Sequence, residues 1–168
     1  MSRFLDVRFK VAAVAVAVMS VAAIAASTGS ASAATYVRLK NVNSQLCLAI
    51  PASSTASGAV AVQWGCSDND DQFWTPEFYN STQFRLRNLN SQKCLGIGAS
   101  SKAQGEKVIQ WDCDGAADQV WQQDSSGRLW NVNSQLCLAV PNASKTAGVQ
   151  VIQWKCEDVS EQKWIVGA

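Results

Sequence analysis

Three tryptophans in this chain stand two residues ahead of a cysteine: Trp64 before Cys66, Trp111 before Cys113 and Trp154 before Cys156. Seven residues after each comes an acid, Asp71, Asp118 or Glu161, followed at once by a glutamine, Gln72, Gln119 or Gln162. An indole near a carboxylate suits a polyol ligand. The C–H face of a saturated ring packs on the aromatic surface, the carboxylate accepts two hydroxyl hydrogen bonds at once, and an amide beside it can donate and accept. A blander reading competes. Val62 with Trp64, Ile109 with Trp111 and Ile152 with Trp154 share one face of a strand by the period-2 rule, which is also the pattern of a buried face. The acids read equally well as solvated charges on turns. Trp74, Trp121 and Trp164, each two residues beyond one of the glutamines, are the better core candidates.

Other chemistries are poorly supplied. The chain has no histidine, and its acids are spread by a repeat instead of gathered into one cleft, so a two-carboxylate glycosidase is not expected and the chain reads as a non-enzyme. The run Ser67-Asp68-Asn69-Asp70-Asp71 invites calcium but lacks the glycine and distal glutamate of a calcium loop; no metal and no cofactor are expected. Residues 1–33 read as a secretory signal peptide: Arg3, Arg8 and Lys10, then the 16-residue apolar run VAAVAVAVMSVAAIAA, then Ala31-Ser32-Ala33 as the cleavage site. That run is short of the ~20 residues a membrane span needs, so no membrane insertion is expected once it is removed. The remaining 34–168 segment carries 11 basic and 12 acidic residues, a balance that gives no long-range attraction to nucleic acid. Its expected location is extracellular.

The elements that must position the indoles come in three copies. Residues 41–66, 88–113 and 131–156 align without a gap over 26 positions, the first matching each of the others at 15, and NVNSQLCLA recurs letter for letter at Asn41 and Asn131. The cysteine pairs Cys47 and Cys66, Cys94 and Cys113, and Cys137 and Cys156 are each 19 apart, which in an oxidising compartment favours three local disulfides over the other connectivities. Each closed loop contributes roughly 3 kcal/mol in the chain-entropy model. Within the first copy, short strands are expected over 36–40, 46–50, 60–64 and 72–74, around the turn NVNSQ and the loop PASSTASGA. The extra length between the first and second copies falls in Pro76 to Gln83 and reads as a lengthened loop. No helical period follows residue 33, so the class is all-β. Three units of four strands are too few for a propeller and match the count of a β-trefoil, with repeats over about 36–77, 84–124 and 127–168 in a single domain.

The Cys-Leu opening of each unit (Cys47-Leu48, Cys94-Leu95, Cys137-Leu138), the Gln-Trp-x-Cys close and the Gln-x-Trp that follows resemble the ricin B-type lectins over essentially all of residues 34–168. The resemblance implies a β-trefoil and a secreted module binding sugars in up to three shallow pockets, one per repeat. The family's pocket is built from an aspartate directly after Cys-Leu, an aromatic two residues before the second cysteine and an asparagine just before Gln-x-Trp. Here the aspartate is replaced by Ala49, Gly96 and Ala139, the aromatic is Trp64, Trp111 or Trp154, and the asparagine has become Asp71, Asp118 or Glu161. Two readings follow. One is a polysaccharide- or glycan-binding monomer whose acceptor has moved to the other wall of the pocket. The other is a trefoil scaffold that has lost sugar binding and acts as a protease inhibitor or interaction module, with Phe78 and Tyr79 as its probe.

Overall fold

The computed structural model describes residues 36–167; the expected signal peptide lies outside them. Among the described residues twelve strands run in four-strand sets; the first strand of each set alternates buried and partly exposed residues, whereas the second is buried throughout. The first set is β1 (Arg38–Asn41), β2 (Cys47–Ala49), β3 (Val62–Trp64) and β4 (Trp74–Phe78). The second is β5 (Gln83–Asn88), β6 (Cys94–Ile97), β7 (Val108–Trp111) and β8 (Trp121–Gln123), and the third is β9 (Leu129–Asn131), β10 (Cys137–Ala139), β11 (Ile152–Trp154) and β12 (Trp164–Gly167). The first and fourth strands of the sets close a six-membered ring. Ladders join β12 to β1, β4 to β5, β5 to β8 and β8 to β9. The bridges Val37–Trp74 and Arg128–Lys163 join β1 to β4 and β9 to β12. Closure gives each barrel strand a partner on both sides along part of its length. The second and third strands form three antiparallel hairpins tied to one another by the bridges Val60–Ile109, Val62–Gln150 and Lys107–Ile152. This is a β-trefoil.

The core is threefold like the sequence. Leu39, Leu48, Ile50 and Trp74 are buried together with their counterparts Leu86, Leu95, Ile97 and Trp121, and Leu129, Leu138, Val140 and Trp164. The Gln-x-Trp indoles are fully inside, as the sequence suggests, and each satisfies its one donor on the carbonyl of the leucine after the first cysteine: Leu48 at 3.3 Å, Leu95 at 2.9 Å and Leu138 at 3.0 Å. The three disulfides form within the repeats, Cys47–Cys66, Cys94–Cys113 and Cys137–Cys156. Each ties the start of a hairpin's first strand to the residues just past its second.

Two expectations for the elements are corrected. The segment over 72–74 is not a strand throughout: Asp70–Gln72 makes a single 3-10 turn and the strand begins at Trp74. The Pro76 to Gln83 stretch is not only a loop, because β4 continues to Phe78 and pairs with β5 in register from Trp74–Asn88 to Phe78–Phe84. Proline is tolerated because, among the described residues, β5 is the only strand paired with this end of β4, so its missing N–H removes no ladder bond there.

Candidate functional site

Each hairpin carries a pocket on its flank, and the three pockets use equivalent residues. The first is lined by Ala49, Ser53, Trp64, Asn69, Asp71 and Gln72 among others. The second has Ser100, Trp111, Asp114, Asp118 and Gln119, and the third Asn142, Trp154, Glu157, Glu161 and Gln162. Their volumes are about 190, 410 and 200 Å³, small enough for one or two sugar rings and too shallow to enclose a larger ligand. All nine residues singled out in the sequence thus come together, three to a pocket.

The indoles are on the surface. Trp64, Trp111 and Trp154 keep 50%, 46% and 42% of their area exposed, apolar surface that a ligand ring can cover. They are forced outward by register: Trp64 lies opposite Cys47 in the ladder, and the neighbouring Gln63, opposite Leu48, points into the interior. The acids are the reverse. Asp71 and Asp118 are 6% and 8% exposed, and each accepts a hydrogen bond on one carboxylate oxygen, from Ser53 Oγ at 3.0 Å and from Ser100 Oγ at 2.9 Å. Neither pairs with a cation among the described residues. A carboxylate held nearly dry with one free oxygen is primed to accept from a ligand hydroxyl. In the third pocket the serine is Ala143 and the acid is the longer, half-buried Glu161, so this pocket lacks the pairing that fixes the other two.

The glutamines do something the sequence did not suggest. Gln72 accepts from the Ser67 amide at 2.9 Å and donates to the Gly65 carbonyl at 2.9 Å. Gln119 bridges Asp114 and Asp112, and Gln162 bridges Glu157 and Lys155, in the same way. Both ends of each amide are spent on the turn that leads from the second cysteine to the acid, so the glutamines frame the pocket floor.

The repeated Asn-x-Asn-Ser-Gln turn also acquires a role. Its first asparagine donates to the backbone carbonyl of the preceding repeat's acid: Asn88 to Asp71 at 2.9 Å, Asn131 to Asp118 at 2.7 Å and Asn41 to Glu161 at 2.9 Å. Its second donates to Ser53, Ser100 or Ala143, again in the preceding repeat, at 2.8, 2.9 and 2.8 Å. Those last three residues sit at φ 47, 50 and 49, each just after another left-handed non-glycine residue, Ala52, Ala99 or Asn142. Two consecutive left-handed residues cost on the order of 1–3 kcal/mol each and persist only when surroundings hold them. The asparagine clamp is what holds them, and it places the serine that orients the carboxylate. One repeat supplies the pocket and the next one locks it.

A family model for the ricin-type beta-trefoil lectin domain matches residues 35–164. The chain belongs to that family. Among solved structures, this ricin-type trefoil is similar to a designed threefold-symmetric protein, ThreeFoil, at 29% identity and TM-score 0.77, covering 79% of this chain and 98% of that one. It is similar also to the hemolytic lectin CEL-III at 27% identity and TM-score 0.64, covering 77% of this chain but only 29% of that longer one. The earthworm R-type lectin C-half, solved in complex with GalNAc, shares the fold at 17% identity and TM-score 0.61, with 79% of this chain and 97% of that one covered. No curated protein sequence matches. Family membership and lectin neighbours support a carbohydrate-binding module.

The departure from the ricin-type pattern has a geometric rationale. A Cβ at Gly96, where the family's aspartate would stand, would lie 3.1 Å from Gln119 Cγ and 3.5 Å from Asp118 Oδ2. The carboxylate of residue 118 therefore already occupies the side of the pocket into which a side chain at 96 would grow. Two carboxylates there would repel in a partly dry site. Exchanging the acid from one wall to the other keeps one in place.

Proposed function

We propose that this chain is a secreted, non-enzymatic lectin module that binds a polysaccharide or glycan through up to three weak sites, one per repeat. The observation that carries this reading is the threefold recurrence of a half-exposed indole in the same small pocket as an acid, which in two of the three is nearly buried and has no cationic partner among the described residues. In the binding mode that follows, the sugar's C–H face lies on Trp64, Trp111 or Trp154. Its hydroxyls donate to Asp71, Asp118 or Glu161. The strained, clamped loops form the lip. Export is supported by three disulfides and by the signal-like residues 1–33.

The test is retention on insoluble polysaccharides together with a glycan array, using Trp64→Ala, Trp111→Ala and Trp154→Ala singly and combined. Retention falls stepwise with each substitution and is lost in the triple variant. A triple variant retained as well as the parent would overturn the reading. One observation favours a different class: Phe78 and Tyr79 at the tip of the β4–β5 hairpin are 67% and 49% exposed, a pair suited to insertion into a protein cleft. Inhibition in a protease panel that disappears in Phe78→Ala would select that scaffold reading.

A further inference from the structure

Each pocket indole rests against a glycine that belongs to a different repeat. A Cβ at Gly148 would lie 3.0 Å from Cζ3 of Trp64, one at Gly58 would lie 3.4 Å from Cζ3 of Trp111, and one at Gly105 would lie 3.6 Å from Cζ3 of Trp154. The glycines are at φ +85, +86 and +81, and their amides are anchored beside the indoles. Gly148 N–H donates to the Gln63 carbonyl at 2.8 Å, Gly58 N–H to that of Gln110 at 2.8 Å and Gly105 N–H to that of Gln153 at 2.9 Å. The same glutamines reach back with their side chains: Gln63 Nε2 donates to the carbonyls of Ser144 and Thr146, Gln110 Nε2 to those of Ser54 and Ala56, and Gln153 Nε2 to those of Ser101 and Ala103. In each Gln-Trp pair the glutamine therefore grips the neighbouring repeat's loop on which the tryptophan lies. The ring is closed, with the third loop under the first indole, the first under the second and the second under the third.

We propose that Gly58, Gly105 and Gly148 are positioning residues that set the depth and tilt of the binding indoles, so that the affinity of each pocket is governed from another repeat. This rests on the reading that the indoles bind sugar. A half-exposed tryptophan must otherwise lose rotamer freedom when a ligand covers it, and a flat backbone surface against its benzo edge removes that cost beforehand. A Cβ at Gly148 would crowd the Trp64 ring at 3.0 Å, those at Gly58 and Gly105 would come into contact at 3.4 and 3.6 Å, and the positive φ at all three favours glycine.

The test substitutes alanine at each glycine in the full chain, with Gly115→Ala as a control for backbone strain alone, since Gly115 has φ +80 and nothing within 4 Å of its Cβ position. Gly148→Asn is added because asparagine tolerates positive φ and still introduces a Cβ. The first readout needs no ligand: the indole N–H resonances of Trp64, Trp111 and Trp154. In Gly148→Ala and Gly148→Asn the Trp64 signal moves and that of Trp154, in the same repeat as the substitution, does not. The size of the displacement falls in the order Gly148, Gly58, Gly105, and Gly115→Ala moves none of the three. The second readout is retention on immobilised galactose, cellulose, xylan and chitin in variants keeping a single pocket indole. With only Trp64 kept, Gly148→Ala weakens retention about tenfold, while with only Trp154 kept it has no effect. A parent chain retained on none of these matrices refutes the sugar reading and leaves the resonances to decide the glycines. A Trp64 signal unmoved in both Gly148 variants, or moved equally by Gly115→Ala, refutes the positioning role.

Discussion

At the scale of single residues, the carboxylate and the serine that holds it are the most exposed to test. Asp71 is nearly dry and uses one oxygen on Ser53, so the oxygen left for a ligand is the sole charged acceptor directly beside Gln72 in the first pocket. In a chain keeping only the Trp64 pocket, Asp71→Asn replaces a charge-assisted hydrogen bond by a neutral one and weakens sugar binding by about tenfold, roughly 1.4 kcal/mol. Ser53→Ala leaves the charge and frees its orientation, producing a smaller loss. An Asp71→Asn variant that binds as tightly as its parent in titration calorimetry would indicate that Asp71 acts only through packing. The acids and indoles of this prediction were legible in the sequence because they recur at one register, and register fixes which face of a strand a side chain takes. The asparagine clamps were not. Asn43 grips Ala143 across 100 residues and a repeat boundary, and a sequence read repeat by repeat shows that a turn recurs without showing what it holds.

At the scale of elements, the lengthened β4–β5 hairpin departs from threefold symmetry, and its stability has an electrostatic signature. Glu77 on β4 sits against Arg87 and Arg85 on β5, with Arg87 Nε at 2.6 Å from Oε1. The hydrogen bond from Arg87 holds the Glu77 carboxyl below its ordinary value of 4.5, partial burial opposes the shift, and Arg85 adds to the lowering. A depressed acid stabilises the fold fully above its unfolded value, and the contribution fades as pH falls from there through the folded one. Glu77→Gln therefore lowers Tm at neutral pH by about 3 °C, for about 1 kcal/mol from a partly solvated ion pair. The gap between parent and variant closes on acidification below pH 4.5. A gap that stayed constant from neutral to strongly acid pH in thermal melts would refute the assignment. The hairpin was hidden in the sequence because Pro76 and the polar Asn80-Ser81-Thr82 read as breakers. A strand end paired only with β5 among the described residues tolerates the proline, and Asn80 folds its side chain back on the amides of Thr82 and Gln83 to make the tight tip. The paired left-handed residues 52–53, 99–100 and 142–143 were equally hidden, since alanine, serine and asparagine there lack the glycine that ordinarily announces positive φ.

At the scale of the whole molecule, the closed barrel fixes the three pockets at constant separations and orientations about one axis, and this determines how they act together. A shallow site with one stacking face and one charged acceptor binds a single sugar ring weakly, on the order of 0.1 mM. Once a polymer engages one pocket, a second ring of the same chain is presented to the next pocket at an effective concentration of order a few mM. The gain from each further pocket is the ratio of those two quantities, a few tens of fold, and it requires no new contact. Monosaccharide and polymer thus report different things on the same variant. Trp111→Ala lowers the calorimetric stoichiometry for a free sugar by one site and leaves the affinity of the remaining pockets as it was. On an insoluble polysaccharide the same substitution lowers retention by a few tens of fold, because one term in the product is lost. Retention falling only by a third would mean that the pockets engage separate chains and that their threefold arrangement contributes nothing to binding strength.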